Sequence, residues 1–164
     1  MNQARIGVVG YCPPTKYDER KALEHLEEAF ARVEADFPNR RIVVVSGATN
    51  VGVLAQAYKL ATERGYETGG VACEKAANYE LFPMTEKPLF VGKHWGDESP
   101  VFVNGIDAIK DVDPEKVAQY LNHPHYGLDA IVRIGVGPQS IREATAVRAM
   151  GKPTYEFDLP KIMA

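Results

Sequence analysis

The sequence predicts one α/β domain in which helices cover both faces of a mostly parallel sheet, giving three α/β/α layers. Three observations lead there. Short β-branched runs alternate with helical stripes along the chain; glycine-bearing turns join several runs to the helix that follows; and 164 residues, 45% of them hydrophobic, suffice for one core but not for two typical domains. The domain is therefore taken as residues 1–164.

Arg5 to Gly10 is a short apolar run bounded by turn formers, the pattern of a strand buried on both faces. After the Cys12-Pro13-Pro14-Thr15 turn, Asp18 is placed to cap a helix whose apolar positions Leu23, Leu26, Phe30, Val33 and Phe37 recur at helical spacing. Pro38-Asn39 stops it, and Arg41 to Val45 forms a second buried strand. From Asn50 to Arg64 the stripe Val51, Leu54, Ala55, Tyr58 and Ala61 predicts another helix, closed by Gly65, before a third strand over Tyr66 to Ala72. Right-handed crossovers make that alternation a parallel sheet.

Between Cys73 and Gly105 three prolines interrupt the pattern, and only Pro88 to Val91 and Val101 to Val103 look strand-like, so one strand and a long functional loop are expected. Asp113-Pro114-Glu115 starts a helix ending near Asn122, with Asp113 as cap. Then come a strand over Ala130 to Ile134, a helix over Ile141 to Met150, the stop Gly151-Lys152-Pro153, and a last strand over Thr154 to Phe157.

Composition narrows the function. A formal charge of -3 with scattered Lys and Arg gives no footprint for nucleic acid. The two cysteines, Cys12 and Cys73, each follow a predicted strand and suit reduced thiols. The N-terminus lacks the pattern of a secretory signal and no run approaches a membrane span, so a soluble cytoplasmic protein is expected. His123-Pro124-His125 brings two imidazoles without a third ligand, so no metal is assigned.

Two strand-to-helix turns carry the functional signal, Ser46 to Gly52 and Gly135 to Glu143. On one parallel sheet they aim two helix N-termini, with unpaired N–H groups and the positive end of the macrodipole, at one crevice suited to phosphate. Neither turn has P-loop or dinucleotide-fingerprint spacing. In the first, Ser46, Gly47, Thr49 and Asn50 are candidate contacts, the structural alternative being Thr49 or Asn50 as N-cap. In the second, Gly135, Gly137 and Ser140 are candidate contacts; Arg142 either reaches phosphate or lies on a solvated helix face. Ser140 and Glu143 have capping-box spacing, yet Glu143 also stands where α/β folds place ligand-facing acids, able to bind ribose or stabilise an oxocarbenium-like centre. Arg133, a cation inside an apolar strand, needs an ion-pair partner or an interface. Lys93 to Ser99 gathers His94, Trp95, Asp97 and Glu98; Trp95 either stacks on a base or packs on the core.

The first turn, its helix and the strand start Gly65 to Val71 resemble the SLOG superfamily. That superfamily includes the LOG (Lonely Guy) proteins often labelled putative lysine decarboxylases, the DNA-processing protein A group and molybdenum-cofactor carrier proteins. Asp129 to Glu143 is similar to its second block, and Gly151-Lys152-Pro153-Thr154 to the Gly-Lys-Pro-Val that follows. The resemblance implies a Rossmann-like domain that binds a nucleotide or related phosphorylated ligand, with Gly47, Thr49, Asn50, Gly137 and Ser140 on phosphate and Glu143 on the sugar; it also implies a homodimer or higher homo-oligomer. LOG phosphoribohydrolases carry Pro-Gly-Gly-x-Gly-Thr-x-x-Glu. Here Gly137, Ser140 and Glu143 match, whereas Gly135, Val136 and Gln139 replace Pro, Gly and Gly, and the family's Arg-Lys pair has no counterpart. Catalysis, where it exists, is then release of a base from a nucleoside 5′-monophosphate, with Glu143 as the catalytic residue that stabilises the cationic sugar. The alternatives are a non-catalytic carrier or sensor, and a 2-deoxyribosyltransferase-like enzyme with a nucleophilic Glu143. No resident cofactor is assigned, and nothing supports pyridoxal chemistry.

Overall fold

The computed structural model describes residues 2–123 and 126–163. Its sheet is built from β1 (Gln3–Gly10), β2 (Arg41–Ser46), β3 (Glu67–Ala72), β4 (Leu89–Phe90), β5 (Ala130–Ile134) and β6 (Thr154–Phe157). The strands lie in the order β4-β3-β2-β1-β5-β6, and every pairing is parallel. The chain moves outward from β1 to β4 and then crosses to β5 and β6. Its direction of travel therefore reverses between β1 and β5, where α/β folds open a ligand crevice beyond the strand ends.

The helices divide between the two faces. On one face lie α1 (Glu19–Asp36) and α2 (Gly52–Glu63), packing Leu26, Phe30, Val33, Val53 and Ala57 against Ile6, Val8, Val44, Val132 and Ile134. On the other lie α3 (Ser99–Asn104), α4 (Ile109–Val112), α5 (Val117–Tyr120) and α6 (Pro138–Ala149); Val101, Phe102, Ile109, Ala144 and Val147 cover Val9, Val43, Val45, Val71 and Ile131. Each fully buried Leu, Ile or Phe removes apolar surface worth roughly 1.5–3 kcal/mol. Asp18 caps α1, accepting from the Lys21 N–H at 3.0 Å.

Several expectations change. Val101 to Val103 is not a strand: Pro100 lies in the first turn of α3, and its apolar triplet is buried against the sheet. A three-residue apolar run does not encode its own period, so the tertiary surface decides. The segment expected as a loop also carries a 3₁₀ turn over Glu74–Asn78. The helix expected from Asp113 is split into a 3₁₀ turn over Pro114–Lys116 followed by α5, and Asp113 makes no side-chain cap. Val51, not Thr49 or Asn50, is the N-cap of α2. The helix expected from Ile141 begins at Pro138 with Gly137 as N-cap, which puts Ser140 inside the first turn. Proline lacks an N–H and has a preset φ, so it fixes that start and the Ser140–Glu143 capping box does not form.

At the amino ends of the strands, away from the crevice, Arg5 is buried and pairs bidentately with Glu86 at 3.1 and 3.2 Å. Arg133 resolves as ion-paired: its guanidinium donates to Glu156 at 3.1 Å, to Asp158 at 2.7 Å and to the Gly135 carbonyl.

Candidate functional site

A cavity of ≈ 540 Å³ opens at the carboxyl ends of the central strands. Its floor is Val8, Val9 and Gly10 of β1 with Val71 and Ala72 of β3. One wall is formed by Ser46, Gly47, Thr49, Val51 and Leu54, the other by Gln139, Ser140 and Glu143 of α6 with Glu98 and Phe102; Cys12, Pro13, Tyr79 and Trp95 complete the lining. The two turns read from the sequence thus meet across one space. Of the sequence candidates, Ser46, Gly47, Thr49, Ser140 and Glu143 line it, whereas Asn50, Gly135, Gly137 and Arg142 do not. Arg142 lies exposed on the surface of α6.

The first turn is held from within. Ser46 Oγ donates to the Val8 carbonyl at 2.6 Å. The Tyr58 hydroxyl accepts from the Ala48 N–H at 3.0 Å and donates to the Gly69 carbonyl at 2.7 Å. The N–H groups of Thr49, Asn50 and Val53 donate to the carbonyls of Gly47, Glu80 and Tyr11. These amides are committed to protein acceptors, so the turn meets a ligand mainly through its small residues and the Thr49 hydroxyl rather than as an open amide nest.

Tyr11, which sequence reasoning missed, joins the two turns. Its carbonyl accepts from Val53 at the start of α2, while its hydroxyl accepts from the Val136 N–H at 3.0 Å and donates to the Leu159 carbonyl at 2.8 Å. Two glycines make room for it. A Cβ on Gly52, at φ +56, would lie 2.2 Å from the Tyr11 carbonyl oxygen, and one on Gly135, at φ +98, would lie 2.4 Å from its ring. The signal was its position, directly after the central strand.

Glu143 is buried, and its carboxyl is pushed up to about 7. Burial is the main cause and the nearby Glu98 charge adds to it, while hydrogen bonds from Ser99 and Gln139 and the Arg142 charge oppose it. Ser99 Oγ donates to Glu143 Oε2 at 2.8 Å, and Gln139 Nε2 lies 3.3 Å from both Glu98 Oε1 and Ser99 Oγ. Glu98 is also raised above the usual carboxylate value, again chiefly by burial, although the Gly96 N–H donates to it at 3.0 Å. Two acids whose ionisation is resisted thus share one cavity, an arrangement suited to binding hydrogen-bond donors or holding a proton at neutral pH. Glu98 was visible in the sequence as part of an acidic loop; Ser99 as the Glu143 partner was not.

At the rim, the rings of Tyr79 and Trp95 are 6.0 Å apart, tilted by 52°, and both are more than half exposed. Trp95 therefore faces outward rather than packing on the core. Cys12 lines the cavity with its thiol raised by burial, which disfavours the thiolate. Among the described residues no group of three His, Cys, Asp or Glu is placed to hold a metal, and no helix is long and apolar enough to cross a membrane. Pro124 and His125, from the two-histidine segment, lie outside the described residues.

No protein-family model and no curated protein matches the chain. Solved structures similar to it include the Moco carrier protein of Chlamydomonas reinhardtii, with TM-score 0.59 and 18% identity over 93% of this chain and 75% of that one. Another is the molybdenum cofactor binding protein of the phototrophic bacterium Rippkaea orientalis, with TM-score 0.60 and 17% identity over 94% of this chain and 76% of that one. At that identity the likeness is one of architecture: this chain has the Rossmann-like α/β fold of those cofactor-binding proteins.

Proposed function

We propose that this protein binds a phosphorylated heterocyclic small molecule, a nucleotide or a molybdenum-cofactor-like pterin phosphate, and carries or senses it rather than transforming it. The observation that carries the reading is the cavity at the strand-order reversal, bordered by residues of both turns. Two neighbours of the same fold are named for the molybdenum cofactor, which supports a cargo of that type. No Lys or Arg lines the cavity among the described residues, so phosphate is held by the α6 N-terminus, with the Ser140 and Thr49 hydroxyls beside it. Asn50, Gly135 and Gly137 belong to the turns but lie outside the lining, and Arg142 lies exposed on α6.

The test is a thermal-shift screen of nucleoside mono-, di- and triphosphates and molybdopterin-type compounds. A ligand at one hundred times its Kd stabilises by about 2.7 kcal/mol, well above detection. If no phosphorylated compound raises the Tm of folded protein, the reading fails.

One observation favours a second reading: the raised Glu143 carboxyl beside Glu98. It supports hydrolysis of a nucleoside 5′-monophosphate, with water adding at C1′ and the glycosidic electron pair and a proton leaving with the base. Free base released by the native protein and not by Glu143→Gln supports it. A monophosphate that binds without base release leaves the carrier. Trapping a glycosyl adduct on Glu143 would instead indicate transferase chemistry. A homodimer, implied by the sequence resemblance, is checked by mass photometry of the same samples.

A further inference from the structure

The charged side chains lining the cavity, among the described residues, are two carboxylates, Glu98 and Glu143, with no Lys or Arg in the lining. Carboxylates accept hydrogen bonds, so their natural complement is a ligand edge rich in donors. Their orientation is fixed: Gln139 Nε2 and the Gly96 N–H donate to Glu98, and Ser99 Oγ donates to Glu143. These donors use part of the acceptor capacity of each acid, and both acids line the cavity. Glu98 is 9% exposed and Glu143 6% exposed, so either acid left facing another acceptor in that space carries an unpaired buried group. At the rim, the exposed rings of Tyr79 and Trp95 offer faces to a flat ring system.

We infer that the cavity selects a planar heterocycle by an edge carrying adjacent N–H and NH2 donors, the edge common to guanine and 2-amino-4-oxopteridines, and rejects rings with an acceptor nitrogen there. This deepens the ligand-binding reading above and rests on it. Adenine presents a ring nitrogen lone pair where guanine presents N1–H, and hypoxanthine keeps N1–H but lacks the exocyclic amine. GMP, IMP and AMP share ribose and phosphate, so differences among them report the edge alone. Guanosine and neopterin, both without phosphate, distinguish a purine from a pterin source of that edge.

The experiment is isothermal titration calorimetry of the full chain with these five compounds at pH 8.5, above the raised value of Glu143, so that this acid is ionised and acts as an acceptor. It is repeated with Glu98→Gln and Glu143→Gln. A well-formed paired contact to a base edge supports discrimination of roughly five- to a hundredfold, so GMP is expected to bind at least about fivefold tighter than AMP, with IMP between them. An amide at either position presents a donor to the ligand's donors and should bring the GMP-to-AMP ratio towards one in at least one variant. A native ratio below about fivefold, or a ratio unchanged in both variants, overturns the inference while leaving ligand binding standing. If neither GMP, IMP nor AMP binds folded protein and neopterin binds no tighter than guanosine, the inference falls too; if the wider phosphorylated screen is also blank, the ligand-binding reading falls with it. Neopterin binding tighter than guanosine, with the GMP preference kept, assigns the edge to a pterin.

Discussion

Replacing Glu143 by glutamine should make the protein more stable above neutrality and should flatten its stability curve between pH 5 and 8. In the folded state the Glu143 carboxyl is raised from 4.5 to about 7, chiefly by burial under α3 and the strand ends. Between those values the folded protein holds a proton that the unfolded chain has released. Stability contributed by the neutral acid is therefore present below about 4.5, falls as pH rises, and levels off above about 7. At about 1.4 kcal/mol per pH unit the interval amounts to ~3 kcal/mol, of which about 2.5 kcal/mol lies between pH 5 and 8. The substituted glutamine has no charge to desolvate and retains an amide oxygen to accept from Ser99 Oγ. Urea unfolding of both proteins at pH 5, 6, 7 and 8 measures the difference. The native protein should lose stability relative to the variant by about 2 to 3 kcal/mol across the series, most of it below pH 7. A difference that is constant with pH, or grows in the other direction, would refute the buried-acid account.

The other predictions concern the turns and the rim. Tyr11→Phe keeps the ring but leaves the Val136 N–H and the Leu159 carbonyl without their partner; a cost of about 1–3 kcal/mol is expected, and a urea midpoint within error of the native one would discount the clasp. Gly135→Ala forces a side chain to φ +98 and a Cβ to 2.4 Å from the Tyr11 ring, so it should cost more than about 1 kcal/mol, read as a drop in Tm of several degrees. Trp95→Ala should leave stability within about 0.5 kcal/mol, since the side chain is largely exposed, yet weaken GMP binding about tenfold; equal affinity in both proteins would take the ring out of the site.

The sheet was legible wherever a strand announces itself locally. Ala130 to Ile134 coincides with β5, because an apolar, partly β-branched run between turn formers has one reading when it is buried on both faces, and Thr154 to Phe157 coincides with the edge strand β6, set off by the Gly151-Lys152-Pro153 stop before it. The helix starts were less legible because local signals compete. Ser140 and Glu143 have the right spacing for a capping box, but Gly137-Pro138 starts α6 earlier and frees Glu143 for Ser99. The acidity of Glu143 lies further from view still. It depends chiefly on burial and then on Ser99 and Glu98, distant in sequence and brought across by the crossover from β4 to β5, and no window along the chain contains that contact. Both turns were found from their glycines, whereas Tyr11, which binds them together, carries no motif at all.

The Tyr11 clasp bears on how a ligand can enter. Its backbone carbonyl holds one turn and its hydroxyl the other, so the gap between them is set by the length of one tyrosine side chain. Neither turn can swing without breaking a hydrogen bond to Tyr11. A ligand therefore meets a mouth of fixed width on that side; residues 80–82, next to Tyr79, are themselves hydrogen-bonded to the first turn, so any adjustment to its size must come from the side of Trp95, on the chain between β3 and α3. The centre of the sheet serves as the rigid jaw and the least regular stretch of sequence as the adjustable one.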